Sequence, residues 1–139
     1  MNSKKFLLAA LLFFPALVIA KDFKGAELRT KASYTYGRFE VRLKSTAREG
    51  VLASFFTYHD GDVAANWNEL DIEILGRYDR EVQFNAITPG QTHHVRHHPV
   101  AFNPHLDFHV YAIEWTPSYV AWFIDEVEVY RQTDAHVAT

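Results

Sequence analysis

Three carboxylates stand at alternate positions in one short apolar stretch, NELDIEIL, which runs from Asn68 to Leu75. Alternate side chains of a β-strand point to opposite faces, so Glu69, Asp71 and Glu73 would share one face and the aliphatic residues between them the other. Most such patterns mark the solvated side of an amphipathic strand. Like charges that are neighbours on one sheet face cost roughly a few tenths of a kcal/mol, however, and this face is uniformly acidic. The pattern therefore indicates a chemical use for the three acids.

Clustered carboxylates commonly bind calcium or hydrolyse glycosidic bonds. A calcium loop takes its ligands from a turning backbone with glycine at the bend and with carbonyl oxygens among the ligands, which a regular strand does not supply. In glycoside hydrolysis one carboxylate attacks the sugar or activates water, and a second, protonated carboxyl gives its proton to the leaving oxygen. A third acid between them raises the pKa of that proton donor by like-charge repulsion. The three acids are therefore interpreted as a glycosidase site.

Hydrolysis with retention of configuration sets a geometric condition on this strand. Glu69 and Glu73 would lie about 13 Å apart along a straight strand, whereas the two carboxyl groups of a retaining enzyme lie about 5 to 5.5 Å apart. Two glutamate side chains that lean toward each other across a concave sheet can close that gap. The interpretation therefore predicts a concave, accessible face at this strand.

The residues around the acids have the composition of a carbohydrate groove. Trp67 and Asn68 precede the first acid, and Gln83 and Asn85 lie on the next predicted strand. Aromatic residues make up 15% of the chain, and their flat apolar faces suit stacking on sugar rings as well as a β core.

The elements that must position these residues are strands, because the apolar residues recur with period two rather than 3.6. The segment Val51 to Tyr58 alternates less cleanly and is expected to be covered on both faces. Two loops are expected, at His59 to Asn66 and at Thr88 to Pro104. Short strands with turns at close intervals predict an all-β fold, an antiparallel β-sandwich. The predicted strands are Gly37–Lys44, Val51–Tyr58, Asn68–Leu75, Glu81–Thr88, Phe108–Trp115, Tyr119–Asp125 and Val127–Arg131.

The first twenty residues are typical of a secretory signal peptide. Lys4 and Lys5 precede an apolar run from Phe6 to Ala20, and cleavage is expected after Ala20. The alternative is an uncleaved membrane anchor, but the run is shorter than the roughly 20 apolar residues that span a bilayer comfortably. We therefore expect a secreted or periplasmic protein with one domain, 21–139, and no membrane contact after cleavage.

Composition restricts the partners of this domain. The chain has no cysteine, so the fold rests on its hydrophobic core and hydrogen bonds. A formal net charge of -3, without a stripe of Lys and Arg interleaved with aromatic residues, argues against a nucleic-acid partner.

The segment from Trp67 to Gly76, WNELDIEILG, resembles the active-site signature of glycoside hydrolase family 16, the Glu-x-Asp-x-Glu strand of bacterial lichenases and related β-glucanases. The likeness continues in family order outside this strand and covers roughly Ala26 to Arg131. The further blocks are Tyr36–Lys44, Ser54–Tyr58, Val82–Asn85 and Phe108–Trp115.

The resemblance implies a concanavalin A-like jelly roll with a concave groove and retaining hydrolysis of internal β-glycosidic bonds in β-glucan, without a cofactor or metal. Glu69 matches the nucleophile, Asp71 the assisting acid and Glu73 the acid/base. Phe56 is as readily explained as core, and Glu40 with Arg42 as an exposed ion pair of little energetic value. The positions that match groove residues are Glu40, Arg42, Phe56, Tyr58, Trp67 and Asn85.

Substrate and completeness stay open at this point. No extra residue separates Asp71 from Glu73, which resembles lichenases and xyloglucan-type transglycosylases rather than laminarinase-like members with a bulged strand. That favours mixed-linkage or 1,4-linked β-glucan, with transglycosylation or non-catalytic glycan binding as alternatives. Asn68 stands where many members have Asp. The chain stops at Thr139, where the family continues with further strands, so we expect a fragment of a longer protein.

Histidines form a second cluster, HHVRHH, at His93, His94, His97 and His98. Their spacing is compatible with a metal site, but Pro99 follows and neither a cysteine nor a well-placed acid lies nearby. A polar loop at the groove rim is therefore preferred. His109 is left with two interpretations, a groove residue or a hydrogen-bonding residue within the sheet.

Overall fold

The computed structural model describes residues 24–59, 67–90, 94–134 and 137. The expected signal peptide, most of the loop after His59, and His93 lie outside these residues. The chain divides after Ala32 into two units. The described part of the first unit, 24–32, is exposed and forms no strand. No helix among the described residues is long and apolar enough to cross a membrane.

The second unit consists of two four-stranded antiparallel sheets. One sheet has the order β1-β6-β7-β8, and the other, called the acid sheet below, has the order β2-β3-β4-β5. The strands are β1 (Gly37–Leu43), β2 (Leu52–Tyr58), β3 (Glu69–Leu75), β4 (Glu81–Ile87), β5 (Arg96–Pro99), β6 (His109–Trp115), β7 (Val120–Ile124) and β8 (Val127–Gln132).

The two sheets pack face to face through residues that alternate along their strands. Ile72 of β3 and Phe84 of β4 are partners in register and fully buried. Phe84 stacks on Trp122 of β7 with ring centroids 5.7 Å apart, and the Trp122 Nε1–H donates to the Asp71 carbonyl oxygen at 2.9 Å. An indole that spans the core therefore holds the acid strand, and the antiparallel sandwich expected from the sequence is confirmed.

Two expectations about the acid sheet are wrong. Residues 96–99 form the short strand β5, which pairs with β4, within the segment expected to be a loop. The polar sequence RHHP lacks the apolar alternation that predicts a strand. An edge strand does not need that alternation, and it tolerates a proline at its end. Strand β2 is not covered on both faces, because Leu52 and Tyr58 on its outer face are 49% and 41% exposed.

Gly76 ends β3 at a position where no side chain fits. Its N–H donates to the Val51 carbonyl oxygen at 2.9 Å. A Cβ atom there would collide with the carbonyl oxygen of Arg48 and would lie 2.6 Å from that of Thr46. Both atoms belong to the backbone, so relief requires the 46–48 loop to move. The glycine therefore lets the loop close over the end of the acid strand.

Gly76→Ala should lower the free energy of unfolding by about 1–3 kcal/mol or more, the usual cost of overpacking. Urea denaturation followed by tryptophan fluorescence measures this loss. Gly25→Ala is the matched control, since a Cβ there meets nothing within 4 Å. A Gly76→Ala protein as stable as Gly25→Ala would contradict the close approach.

Candidate active site

The three acids lie on the face of β3 that points away from the core. Leu70, Ile72 and Ile74 fill the interior, and strand alternation turns the residues between them outward. Asp71 is only 6% exposed, although it is on the outer face. Glu69 and Glu73, on either side of it, are half-buried. The site therefore has one deeply buried carboxyl group between two accessible ones.

Strand register places aromatic side chains on one side of the acids. On β2, Tyr58 is the partner of Glu69 and Phe56 is the partner of Asp71. Phe55 packs against the core, so its neighbour Phe56 faces outward with the acids. Two of the aromatic residues matched to groove positions, Phe56 and Tyr58, therefore lie beside the acid strand.

Amide side chains flank the acids on the other side. On β4, Asn85 is the partner of Asp71 and Gln83 is the partner of Glu73. The Gln83 Nε2–H donates to Glu73 Oε2, and Asn85 is hydrogen-bonded to the Asp71 carboxyl group.

Each acid consequently has a neutral N–H donor. The donor for Glu69 is the Trp67 Nε1–H, which lies 2.8 Å from its Oε2. Neutral donors orient a carboxyl group without neutralising it as an arginine would. The acids therefore keep their mutual electrostatic interaction, which a salt bridge would have removed.

Burial and, after it, the charges of Glu69 and Glu73 together raise the pKa of Asp71 to about 8, against the hydrogen bond from Asn85. Glu69 also shares a hydrogen bond with Asp71. Because the pKa of Asp71 is about 8, Asp71 keeps its proton at neutral pH. The protonated carboxyl group can then donate the hydrogen bond that it shares with Glu69.

Burial also raises the pKa of Glu73, with the Gln83 hydrogen bond acting in the opposite direction and the charge of Glu69 in the same one. Such a shift keeps a carboxylic acid protonated nearer to neutral pH, as a proton donor requires. The sequence-based expectation assigned the shift to repulsion from Asp71. In the structure the largest cause of the raised pKa is desolvation, and the repelling charge is that of Glu69 rather than Asp71.

An open cleft of about 430 Å³ adjoins Glu73. It lies where β3 ends, beside the edge strand β2, and its walls mix apolar and charged residues. The acid that is suited to donate a proton therefore faces a space that a ligand can enter. The cleft is lined by Glu49, Gly50, Val51, Leu52, Glu73, Leu75, Arg77 and Gln83.

Two residues matched to groove positions lie elsewhere. Glu40 and Arg42 are on β1 in the other sheet, where Val41 and Leu43 pack against the core and the residues between them point away from it. Glu40 is paired with Arg38 at 2.5 Å. The guanidinium carbon of Arg42 lies 4.5 Å from the Phe108 ring centroid. The structure therefore brings Phe56, Tyr58, Trp67 and Asn85 to the acids, but not Glu40 and Arg42.

The histidine cluster is divided among different surroundings. His97 Nδ1 lies 2.9 Å from Glu81 Oε1, whereas His98 packs against Phe84 with ring centroids 5.8 Å apart. His94 lies at the acid sheet, where its backbone N–H donates to Asn85 Oδ1 at 3.1 Å. Among the described residues no group of three His, Cys, Asp or Glu is arranged to hold a metal ion.

His109 belongs to the other sheet. Its Nδ1 lies 2.6 Å from Asp125 Oδ2, and its ring stacks on Phe102 with centroids 3.6 Å apart. Of the two interpretations left by the sequence, the structure supports hydrogen bonding within the sheet.

The sequence analysis placed Gln83 among the residues of a groove and His94 in a loop at its rim, but it predicted neither the contact of Gln83 with Glu73 nor that of His94 with Asn85. The signal for Gln83 was available, because alternation along VQFN puts it on the face of Asn85. No local pattern indicates that the His94 backbone N–H binds a side chain nine residues earlier. That contact depends on the tertiary position of His94 beside β4.

Comparisons with known proteins identify relatives of this chain. The family model for Glycosyl hydrolases family 16 matches residues 14–138. A beta-glucanase of Fibrobacter succinogenes is 43% identical over 123 residues, which are 84% of this chain and 35% of that protein.

Solved structures share the fold. A prokaryotic beta-1,3-1,4-glucanase (lichenase) from a mouse hindgut metagenome matches with a TM-score of 0.72 and 40% identity, over 78% of this chain and 50% of that one. Apo Crh5 transglycosylase matches with a TM-score of 0.63 and 34% identity, over 70% and 39%. The chain spans half or less of the length of each of these relatives. The jelly-roll sandwich expected from the sequence is confirmed.

Proposed function

Because this chain belongs to the family Glycosyl hydrolases family 16, we propose that it supplies the catalytic acids of an endo-acting β-glucanase that cleaves internal β-glycosidic bonds with retention. The observation that carries the proposal is the arrangement of Glu69, Asp71 and Glu73 on one accessible face, each with its own N–H donor. Three acids placed this way serve no purpose for stability, since their mutual repulsion opposes folding.

In the first step of the proposed reaction, Glu69 attacks the anomeric carbon as a carboxylate. The glycosidic C–O bond breaks, and its electron pair leaves with the oxygen, which takes the proton of Glu73. This step leaves a covalent glycosyl ester on Glu69 and an ionised Glu73. The shared hydrogen bond suits Asp71 to this step, because a proton on Asp71 stabilises the carboxylate of Glu69 before attack.

In the second step, Glu73 takes a proton from water and the resulting hydroxide attacks the same carbon. The ester bond breaks and returns the electron pair to Glu69. Two inversions give net retention. Glu73 thus acts first as an acid and then as a base, for which its raised pKa is suited.

For the substrate we propose mixed-linkage or 1,4-linked β-glucan. In support, β3 pairs with both neighbours without a register shift through Asp71 and Glu73, so the strand lacks the bulge of the laminarinase-like members. The similar solved lichenase is described as a beta-1,3-1,4-glucanase.

A second candidate is transglycosylation, in which a sugar hydroxyl replaces water in the second step. The likeness to Crh5 transglycosylase, at 34% identity, favours keeping this alternative. Both reactions use the same acids, so only the products distinguish them.

Purified protein should release reducing ends from barley β-glucan, lichenan or xyloglucan faster than from laminarin, whose main chain is 1,3-linked. A fluorescently labelled oligosaccharide acceptor, added to the same reactions, should stay unextended if water is the acceptor. Labelled products longer than the acceptor would instead support transglycosylation. A folded protein that turns over none of the four polymers would contradict the proposed function.

We also propose that the protein acts outside the cytoplasm after cleavage following Ala20. The basic start and the apolar run from Phe6 to Ala20 support this. Mass spectrometry of the secreted product should give Lys21 as its first residue, and a cell-associated, uncleaved product would contradict the proposal.

A further inference from the structure

The amide of Asn85 is fixed in one orientation by the protein backbone. Its Oδ1 accepts the backbone N–H of His94 at 3.1 Å, and its side chain is also hydrogen-bonded to Asp71, its partner in register. An amide has one oxygen and one NH2 group, and only the oxygen can accept the N–H of His94. The NH2 group is therefore the part of Asn85 that faces the Asp71 carboxyl group.

His94 is itself held from two sides. Its Nδ1 lies 2.8 Å from the carbonyl oxygen of Ala86 on β4. Because a carbonyl oxygen only accepts, this contact requires a hydrogen on Nδ1. The buried Gln132 of β8, in the other sheet, donates through Nε2 to the His94 carbonyl oxygen at 3.3 Å. The two sheets therefore fix the backbone of His94 at the point where it meets Asn85.

We propose that His94 is a positioning residue for the acid strand, whose backbone N–H turns the Asn85 NH2 group toward Asp71 and so sets how Asp71 and Glu69 share their proton. The group that orients Asn85 is the backbone N–H of His94, and the imidazole contributes only by anchoring His94 to the Ala86 carbonyl oxygen. The consequence of this role for catalysis rests on the proposed function, whereas the orientation of Asn85 does not.

The electrostatics around Asp71 give the direction of the effect. The ionisable groups acting on Asp71 are Glu69 and Glu73 of its own strand, while its register partners on β2 and β4, Phe56 and Asn85, are uncharged. An NH2 group directed at the carboxyl favours its ionised form. If Asn85 turned around, its oxygen would face Asp71 and favour the protonated form. Loss of the His94 N–H should therefore raise the pKa of Asp71.

Two substitutions at position 94 separate the backbone from the ring. His94→Pro removes both the N–H and the imidazole, because proline has no backbone donor. His94→Ala removes the imidazole and keeps the N–H. The pKa of Asp71, followed by carboxyl ¹³C NMR in ¹³C-aspartate-labelled protein, should be higher in His94→Pro than in His94→Ala by about half a unit or more.

Gln132→Met provides a second route if His94→Pro does not fold. It keeps the length of the side chain but removes the donor to the His94 carbonyl oxygen, so the pKa of Asp71 should rise in the same direction by a smaller amount. Either substitution is then combined with Asn85→Leu. In that protein it should leave the pKa of Asp71 unchanged, because the amide that His94 orients is absent.

Equal Asp71 titrations in His94→Pro and His94→Ala would overturn the inference, as would a shift that persists in the Asn85→Leu background. The titration needs no substrate, so it stands apart from the proposed function. If the protein hydrolyses glucan but the pKa of Asp71 is the same in all of these variants, only the role of His94 is refuted. A titration that moves as expected, in a protein without hydrolytic activity, would support that role and contradict the proposed function.

Discussion

Glu69→Gln should reduce the rate of β-glucan hydrolysis by at least about 1,000-fold, because a neutral amide cannot form the glycosyl ester through which a retaining mechanism proceeds. The fold should survive, since Glu69 is half-buried on the outer face and glutamine preserves its shape. The oxygen of the new amide can still accept the Trp67 Nε1–H. Reducing-end assays on lichenan, with circular dichroism of the same samples, measure both effects.

Glu81→Gln is the matched control for this substitution. It makes the same chemical change on the same sheet, but Glu81 contacts His97 rather than the acids, so activity should stay near that of the wild type. Activity that survives Glu69→Gln would refute the assignment of the nucleophile.

Azide rescue assigns the two glutamate roles by stereochemistry. With an aryl β-glycoside, Glu69→Ala should use azide in place of the lost nucleophile and give the α-glycosyl azide. Glu73→Ala should still form the ester on Glu69, which azide then attacks to give the β-glycosyl azide. Glycosyl azides of the opposite anomeric configuration would show that the assignment of nucleophile and acid/base must be reversed.

Wild-type protein should lose stability as the pH rises from about 4 to about 8, relative to Asp71→Asn. Burial and the neighbouring acids raise the pKa of Asp71 from 3.8 to about 8 in the folded state, so the folded protein binds this proton more tightly than the unfolded chain does. The stabilisation is fully present below the unfolded value and is lost as the pH passes through the folded one. The difference should be on the order of 2 kcal/mol. It is smaller than an isolated group with the same pKa shift would give, because the apparent pKa belongs to a coupled pair and not to Asp71 alone.

Urea denaturation at intervals from pH 4 to pH 9 tests this, with the difference between the two proteins as the measured quantity. Groups that are remote from Asp71 titrate alike in both proteins and cancel in that difference. Glu73→Gln should remove a further part of the pH dependence with the same sign, since burial raises the pKa of Glu73 as well. A difference between wild type and Asp71→Asn that is independent of pH would contradict the protonated, buried Asp71.

The alternation of the acid strand and the family to which the chain is similar could both be predicted from local sequence patterns. In NELDIEIL the three acids must share one face and the aliphatic residues the other, because the side-chain period of an extended backbone is a local property. The same period of two predicted an all-β sandwich, with Gln83 and Asn85 together on the strand after the acids. These inferences needed no knowledge of what packs beside each strand.

Only the tertiary structure decided which groups surround the acids. The Trp122 indole reaches the Asp71 backbone from the other sheet, and this contact joins residues that are distant in the chain. Glu40 and Arg42 alternate as expected, yet their strand joins the other sheet. Sheet order follows from burying apolar faces against each other, and no single strand contains that information.

The same reason explains β5 and the causes of the pKa shifts. The segment RHHP is a strand because the edge of β4 offers it backbone partners, not because of its own residues. Desolvation of Asp71 and Glu73 depends on neighbours from other strands. The sequence thus determined which acids face outward together, whereas packing between distant segments decided how they hold their protons.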